Sequence, residues 1–227
     1  MQPPFSADQF FEVFARYNDA VWPAQAALLV IALIAVGAAV RRSGSAGSSR
    51  LVVALLAMLW AWMGLVYHIG FFRSINTAAT LFGGLFLAQA GLLLWYAMRR
   101  ETLHFAHPAG VRGAAGAALI VYALVVYPLL GAALGHRYPA APTFGLPCPT
   151  TIFTLGLLLW TKHPVPWAVL IVPVGWAVVG TSAALQLGMV EDLGLPVAAF
   201  AVILAEVHAR LATRARRFGG WELGARS

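Results

Sequence analysis

Charge is what this sequence has least of. Of its 227 residues, 10% are Asp, Glu, Lys or Arg and 61% are hydrophobic, a balance far from that of a soluble globular domain. A soluble chain of this length would need many more charged residues to cover its surface. There is one cysteine, Cys148, which excludes an internal disulfide and a zinc site of the CxxC type and leaves the redox compartment open. There is one lysine, Lys162, and it follows the fifth apolar run. A retinal Schiff base in the last helix is thereby excluded. Residues 1–20, MQPPFSADQFFEVFARYNDA, have no basic stretch ahead of an apolar core, so no cleavable signal peptide is expected there. No linker, low-complexity segment or internal repeat divides the chain, and a single polytopic domain over residues 1–227 is the economical reading.

What the sequence does have is long apolar runs. Taking stretches of roughly 20 apolar residues as spans, seven are predicted: 21–40, 51–71, 75–98, 113–134, 148–161, 166–187 and 194–211, the fifth being short. The expected fold class is therefore all-α, an integral membrane bundle of seven transmembrane helices. The net charge of +7 does not point to nucleic acid, because the basic residues sit in short loops and form no stripe. They act instead as topology signals. Arg41, Arg42, Arg50, Arg99, Arg100, Arg112, Lys162, Arg210, Arg214, Arg216, Arg217 and Arg226 fall on one side of the predicted alternation, and only Arg16, Arg73 and Arg137 on the other. By the positive-inside rule the N-terminus is outside, the C-terminus is in the cytoplasm and 212–227 is a basic cytoplasmic tail. The expected location is the inner (plasma) membrane. Trp22, Trp95, Trp160 and Trp167 fall near predicted helix ends, as interfacial anchors do; Trp60, Trp62 and Trp176 lie deeper and are expected inside the bundle. Within 1–20, Phe10, Phe11, Val13, Phe14 and Tyr17 have helical spacing with acids opposite. This fits either an amphipathic helix on the outer surface or an extension of the first span.

The stretch TFGLPCPTT (143–151) opens the fifth span. Pro149 suits the first helical position, which makes Cys148 the expected N-cap and places Thr150 and Thr151 in the first turn. From Pro149 to Lys162 such a helix is about 21 Å long, against a hydrocarbon core of about 30 Å. The helix is therefore short or broken at its outer end, and its irregular approach, 142–147, must be buried in protein or line a wet cavity. A helix N-terminus at depth offers N–H groups and partial positive charge to electronegative atoms, as broken helices of transporters do. That field lowers a thiol pKa while apolar surroundings raise it, and a simpler role for Cys148 is small apolar filler in a tight turn.

Topology brings other polar residues to the same outer level: Tyr67 and His68, Asn76 and Thr80, His136 and Tyr138, Glu191 and Asp192. Singly, these read as interfacial anchors, a helix cap and a solvated acidic turn. Together they make a candidate ligand-binding set of Cys148, Thr150, Thr151, His68, Tyr67, Asn76, His136, Glu191 and Asp192, with Cys148, His68 and His136 as candidate metal ligands. Elsewhere, Glu206 and Arg210 are spaced four apart for an ion pair, with His208 between them. Gln89 needs a partner at depth, as interhelical glue or as a ligand. His104 and His107 fall in a basic, solvated loop, Pro128 and Pro173 should kink their helices, and Ala79, Gly83, Gly84 and Ala88 offer small-residue spacing for close contact.

The segments VFARYNDAVWPAQ (13–25), YHIGFFRSINTAATLFGGLFLAQA (67–90), GHRYPAAPTFGLPCPTTIFTLGLLLW (135–160) and GMVEDLGL (188–195) together resemble a bacterial family of multipass membrane proteins of unknown function. The resemblance covers nearly the whole chain and is most specific in the proline-cysteine stretch. It implies the membrane location and carries no activity, cofactor or site. Three readings follow from the residues. The first is a protein that binds or transports a small solute or ion at an outer polar pocket. The second is a membrane enzyme or cofactor protein, with metal, haem or a Cys148 thiol at its centre; membrane hydrolases of this size group several histidines on one face, which this chain does not. The third is an accessory or sensory subunit that docks a partner. The bilayer is the one partner common to all three. Nucleic acid is not expected, a homo-oligomer is compatible with each reading, and seven helices with an outside N-terminus do not by themselves imply a receptor.

Overall fold

A computed structural model of the chain describes residues 4–41, 44–99, 103–162 and 164–224, with side chains to residue 215. Arg42, Arg100 and Arg226, and the side chains of Arg216 and Arg217, lie outside the described residues. The architecture is all-helical, and among the described residues the only sheet-like pairings are isolated bridges, Phe105 with Thr161 and Phe144 with Leu146. Five segments are long and apolar enough to cross a membrane: Ala24–Arg41, Ala46–Ser74, Ala79–Met98, Val111–Ala133 and Trp167–Leu187. Their outward faces are apolar. Leu33, Leu81, Leu129, Ile171, Val178 and Leu185 are each more than half exposed, far more contiguous apolar surface than a water-facing protein carries.

Helix α1 (Ala7–Val21) opens with a capping box in which the Ser6 and Gln9 side chains each accept the other residue's backbone N–H. It is separate from α2 (Ala24–Arg41) and not a continuation of it, because Pro23 interrupts the chain between them. Its apolar stripe, Phe10, Val13, Phe14 and Tyr17, is buried, so the helix lies against protein. Helix α3 (Ala46–Trp62) runs on as a π-helical stretch, Met63–Phe71, and α4 (Ala79–Met98) returns beside it. Helix α5 (Val111–Val121) passes through a π-helical segment, Tyr122–Val126, into α6 (Tyr127–Ala133). Pro128 has no N–H to continue an i→i−4 ladder, and the wider π turn sits immediately ahead of it. Helix α8 (Trp167–Leu187) contains Pro173 and stops at Gly188, whose φ of +75° makes the left-handed C-cap. A 3₁₀ turn, Val190–Leu193, leads into α9 (Gly194–Gly224).

Helix α7 (Pro147–Leu158) is the axis of the bundle. Every residue from Pro149 to Leu158 is buried, and α5, α8, α9 and the 122–126 turn pack around it. In a bilayer the lipid tails are as apolar as leucine, so helices associate through close packing and internal hydrogen bonds. Both are present here. A Cβ on Gly116 of α5 would meet the Gly156 carbonyl oxygen of α7 at 2.8 Å and Trp160 Nε1 at 2.6 Å. Gln89 Nε2 of α4 donates to the Val169 carbonyl of α8 (3.0 Å), and Trp60 Nε1 of α3 donates to Thr154 Oγ1 of α7 (3.2 Å). Small residues on α4 split between two faces: Ala79 and Gly83 are buried, Gly83 against the Gly64 carbonyl, while Gly84 and Ala88 face outward.

The two ends of the bundle differ in chemistry. At one end the first half of the 103–110 loop is tucked into the protein, with Phe105 buried and bonded through its N–H to Ser49 Oγ and through its carbonyl to the Gly44 N–H. His107 remains exposed, with its ring on Trp160. There, buried Glu206 of α9 accepts from Arg112 (2.8 Å) and from the Val165 N–H (2.8 Å). The i,i+4 partner expected for Glu206, Arg210, is farther away at 3.7 Å, and it lies over the Trp167 ring. Spacing along α9 brings Arg210 near, but Arg112 reaches the carboxylate from α5 at better geometry.

Two variants test this packing. Gly116→Ala should lower stability by about 1–3 kcal/mol, because the added methyl meets both the Gly156 carbonyl and the Trp160 ring, which its hydrogen bond to the Gly113 carbonyl holds in place; thermal unfolding in detergent reads it. Arg112→Ala should cost about 3–5 kcal/mol by stranding a buried carboxylate and should be clearly worse than Arg210→Ala. Equal losses from the two would show that the 2.8 Å contact is not the dominant one.

Candidate functional site

The approach to α7 is a tight turn enclosed by protein. The Leu146 N–H reaches the Thr143 carbonyl (3.1 Å), and the Gly145 N–H donates to Thr150 Oγ1 (3.1 Å). Gly145 has φ +99°, and a Cβ there would also sit 2.4 Å from Leu28 Cδ1, so only glycine lets the turn lie against α2. The helix begins two residues earlier than expected, with Leu146 as N-cap and Pro147 in the first position. Pro147 tolerates that place as well as Pro149 would, since its missing N–H is unpaired there anyway. One consequence weakens the anion-site argument. With prolines at the first and third helical positions, Cys148 carries the only backbone N–H among the three, so this helix start offers little of the usual donor cluster.

Beside the turn lies a cavity of about 80 Å³, room for several waters or part of a small organic molecule. Its walls are mostly aromatic: Phe10 and Phe14 from α1, Tyr67 and Phe72 from the end of the α3 segment, Phe82 from α4 and Trp176 from α8. Phe5 and α1 form its cover, and Trp62 Nε1 donates to Tyr17 Oη (2.8 Å), fixing α1 to α3. Burial raises the Tyr17 hydroxyl pKa to about 12, so it stays neutral.

One corner of the cavity is polar. Gly180 of α8 borders it: a Cβ there would make ordinary contact with Trp176 Nε1 (3.6 Å) and Cys148 Sγ (3.7 Å) but would sit only 2.7 Å from Leu195 Cδ1 of α9. The Trp176 N–H is buried without a geometrically good protein acceptor, and the Cys148 thiol donates to Asp192. Tyr127 Oη also donates to Asp192, at 2.5 Å to Oδ1. Asp192 belongs to the 190–193 turn, whose two acids are buried where a solvated acidic turn was the simpler expectation, while Val190 and Leu193 face outward. Burial raises its carboxyl pKa to about 7, while the bonds from Tyr127 and Cys148 pull it down. Its neighbour Glu191 faces the other way: Oε1 is 2.6 Å from His136 Nδ1, its backbone carbonyl accepts from Tyr122 Oη (2.7 Å), and Oε2 has no protein partner.

Of the residues singled out from sequence, Cys148, Tyr67, Asn76 and Asp192 line the one cavity. Asn76 is not the cap of α4 but bonds within the turn ahead of it, accepting from the N–H of the N-cap residue Ala78 (3.1 Å). Thr150 holds the turn and Thr151 is buried with its hydroxyl unpartnered; neither lines the cavity. His68 lies behind it on the π-helical stretch, fully buried, its ring against Phe86 (4.6 Å) and Trp176 (5.1 Å) and neither nitrogen hydrogen-bonded. Glu191 and His136 form a separate pair beside it. Cys148, His68 and His136 thus have three different surroundings, and among the described residues no three His, Cys, Asp or Glu side chains gather as a metal site. No cationic side chain or imidazole lines the cavity, so nothing beside Cys148 activates its thiol as a nucleophile. Tyr127, Gly180 and the covering face of α1 complete the site without having been marked by sequence; only the depth of Trp176 hinted at its place.

Comparison with curated proteins gives no match, and comparison with solved structures gives none. The sequence profile described as a family of unknown function, DUF6064, matches residues 7–217. The chain belongs to that family.

Proposed function

We propose that the protein is a plasma-membrane protein of seven spans, N-terminus outside and C-terminus in the cytoplasm, whose outer cavity binds a small, mostly apolar solute with one polar or cationic end. Helices α7 and α9 supply the two spans beyond the five of full length. The loops support this topology: His104–Ala106, Trp160, Lys162 and Gly44 are hydrogen-bonded together at the arginine-rich end, while α1, the 134–146 loop and the 190–193 turn gather at the other. The observation that carries the binding reading is the cavity itself, apolar on most of its walls and rich in aromatic rings, with its one carboxyl at the corner of Asp192, Cys148 and Trp176. Ligand sites have this make-up: apolar contact supplies affinity and a few fixed polar groups supply orientation.

The lining favours an organic solute over a bare metal ion, since it has one carboxyl and many rings. An ammonium head is the best complement, because Asp192 supplies charge and the faces of Tyr67 and Trp176 supply cation–π attraction. Below the cavity, α7 is packed tightly on all sides, so passage to the cytoplasm needs rearrangement, and binding is the property the geometry supports directly.

Thermal-shift measurements with 2-phenylethylamine and its neutral analogue 2-phenylethanol test the proposal. Both should stabilise the purified protein, and Ala184→Phe, which fills the cavity, should abolish the effect; a shift unchanged in that variant would sink the reading. Binding of the amine should also strengthen as pH rises from 6 to 8, because Asp192 with its pKa near 7 becomes the charged partner over that range. Asp192→Asn should remove this pH dependence. The carboxyl contributes with the opposite sign to stability without ligand. Its folded pKa lies above the unfolded value, so the unliganded protein should lose stability as pH rises from about 4 to about 7, and Asp192→Asn should flatten that slope.

A further inference from the structure

A second hollow, a cleft of about 610 Å³, lies between α2 and α6 on the flank of the bundle. Its mouth is formed by Ala26 and Leu29 of α2 and by Pro128 and Ala132 of α6, all exposed and, apart from backbone, all apolar. These helix faces belong to segments of membrane-spanning length, so this side of the cleft opens toward lipid, while its loop end carries the exposed residues Arg137 and Tyr138.

The cleft and the aromatic cavity share part of their lining. Tyr127, Pro142 and Pro149 border both and are therefore the wall that divides them. Two of the three are prolines, whose rings are fixed to the backbone. Tyr127 alone has a side chain that can swing. It is held by one polar contact, from its hydroxyl to Asp192, the same carboxyl that faces the ligand corner. The backbone beneath it changes character at this residue, with the π-helical turn Tyr122–Val126 before it and Pro128 after it. Single π turns are frequent at functional sites because the extra residue can shift register at small cost.

We infer that the solute reaches the cavity sideways from the outer leaflet of the bilayer, through the α2–α6 cleft, with Tyr127 as the moving wall and Asp192 as its latch. This rests on the binding reading above and narrows the ligand class to small molecules that partition into the membrane. A ligand head that takes a hydrogen bond or charge from Asp192 competes with Tyr127 for it, so arrival of the ligand loosens the wall it must pass. A strictly water-soluble ion or metabolite does not fit such a route.

Cys148 is the only thiol and lines the cavity, so its modification rate reports access. The protein in liposomes is treated either with benzyl methanethiosulfonate, which enters the bilayer, or with the charged trimethylammonium-ethyl methanethiosulfonate, which stays in water. The benzyl reagent should label wild type, at least tenfold faster in Tyr127→Ala and several-fold faster in Tyr127→Phe, which keeps the ring and loses the latch. Ala132→Trp, placed on the exposed rim of the cleft where it does not disturb the core, should slow labelling several-fold. The charged reagent should be slow throughout. If the charged reagent is the faster one and responds to Phe10→Ala in the α1 cover, the cavity fills from water and the lateral route is wrong while the binding reading stands. Insensitivity of the benzyl rate to both Tyr127→Ala and Ala132→Trp, or no labelling even in Tyr127→Ala, also overturns the route. Loss of the amine-dependent thermal shift is a separate result and strikes the binding reading alone.

Discussion

A helix of 12 residues, about 18 Å long, cannot cross a hydrocarbon core of about 30 Å, and nearly everything else in this molecule follows from placing such a helix at the centre. Its start lies below one surface, so the backbone that approaches it needs partners where water and lipid cannot provide them. Thr150 turns back to satisfy Gly145, Leu146 bonds to Thr143, and Gly145 closes against Leu28 of α2. The missing length above α7 is filled partly by this turn and partly by the covering helix α1, whose buried stripe of Phe10, Phe14 and Tyr17 has no other reason to face inward. What is left unfilled is the cavity. A full-length fifth helix would occupy the space, so the hollow and the short helix are one feature.

The same constraint sets different requirements at the two ends. Away from the cavity, α7 is held by direct backbone contact through Gly116 and Gly156, and the Arg112–Glu206 pair ties α5 to α9 beside it, with Arg210 Nε and Gln89 Oε1 the unpartnered atoms there. Near the cavity, polar atoms are left over: Trp176 Nε1, Glu191 Oε2, Thr151 Oγ1 and both His68 nitrogens have no hydrogen bond within the protein. Unpartnered buried groups are costly, and most of those among the described residues lie at this end, which is what supports the proposed binding role of the cavity. Rigidity at one end and incomplete satisfaction at the other suit a protein that holds its frame while a guest enters.

Five of the predicted spans were legible as membrane-length helices because long apolar runs are properties of contiguous sequence. Their rotation was not. In a helix such as α4, apolar almost all round, nothing local says that Gly83 faces α3 while Gly84 faces lipid, so the small-residue spacing marked four positions of which two pack. Long-range partners failed for a related reason: Arg210 is four residues from Glu206, but Arg112, 94 residues away, makes the shorter bond. The polar end of the site was legible in part. Cys148, Tyr67, Asn76 and Asp192 were brought together by topology alone, whereas His136 and His68, at the same level, turn to other neighbours. Topology fixes depth and leaves azimuth free, and a site needs both. The start of α7 was misplaced by two residues because either proline fits a first helical turn, and only the packing of Leu146 and Gly145 decides between them.

Asp192 has to serve two arrangements at once, and this explains why it sits on a 3₁₀ turn and not on a helix. Were it one turn into α9, its carboxyl would be committed to one direction by the regular backbone. On the short link between α8 and α9 it reaches Tyr127 on one side and Cys148 on the other, with Glu191, which precedes it, facing His136 instead. Adjacent acids in a buried turn repel if both point inward; sending them to opposite sides keeps their charges apart and gives each a hydrogen-bonded partner. The Tyr127 bond closes the wall, and the remaining carboxyl oxygen faces the cavity corner. In the proposed route a single buried carboxyl couples the state of the wall to the occupancy of the site, a coupling that needs no long-distance transmission because both contacts end on the same group.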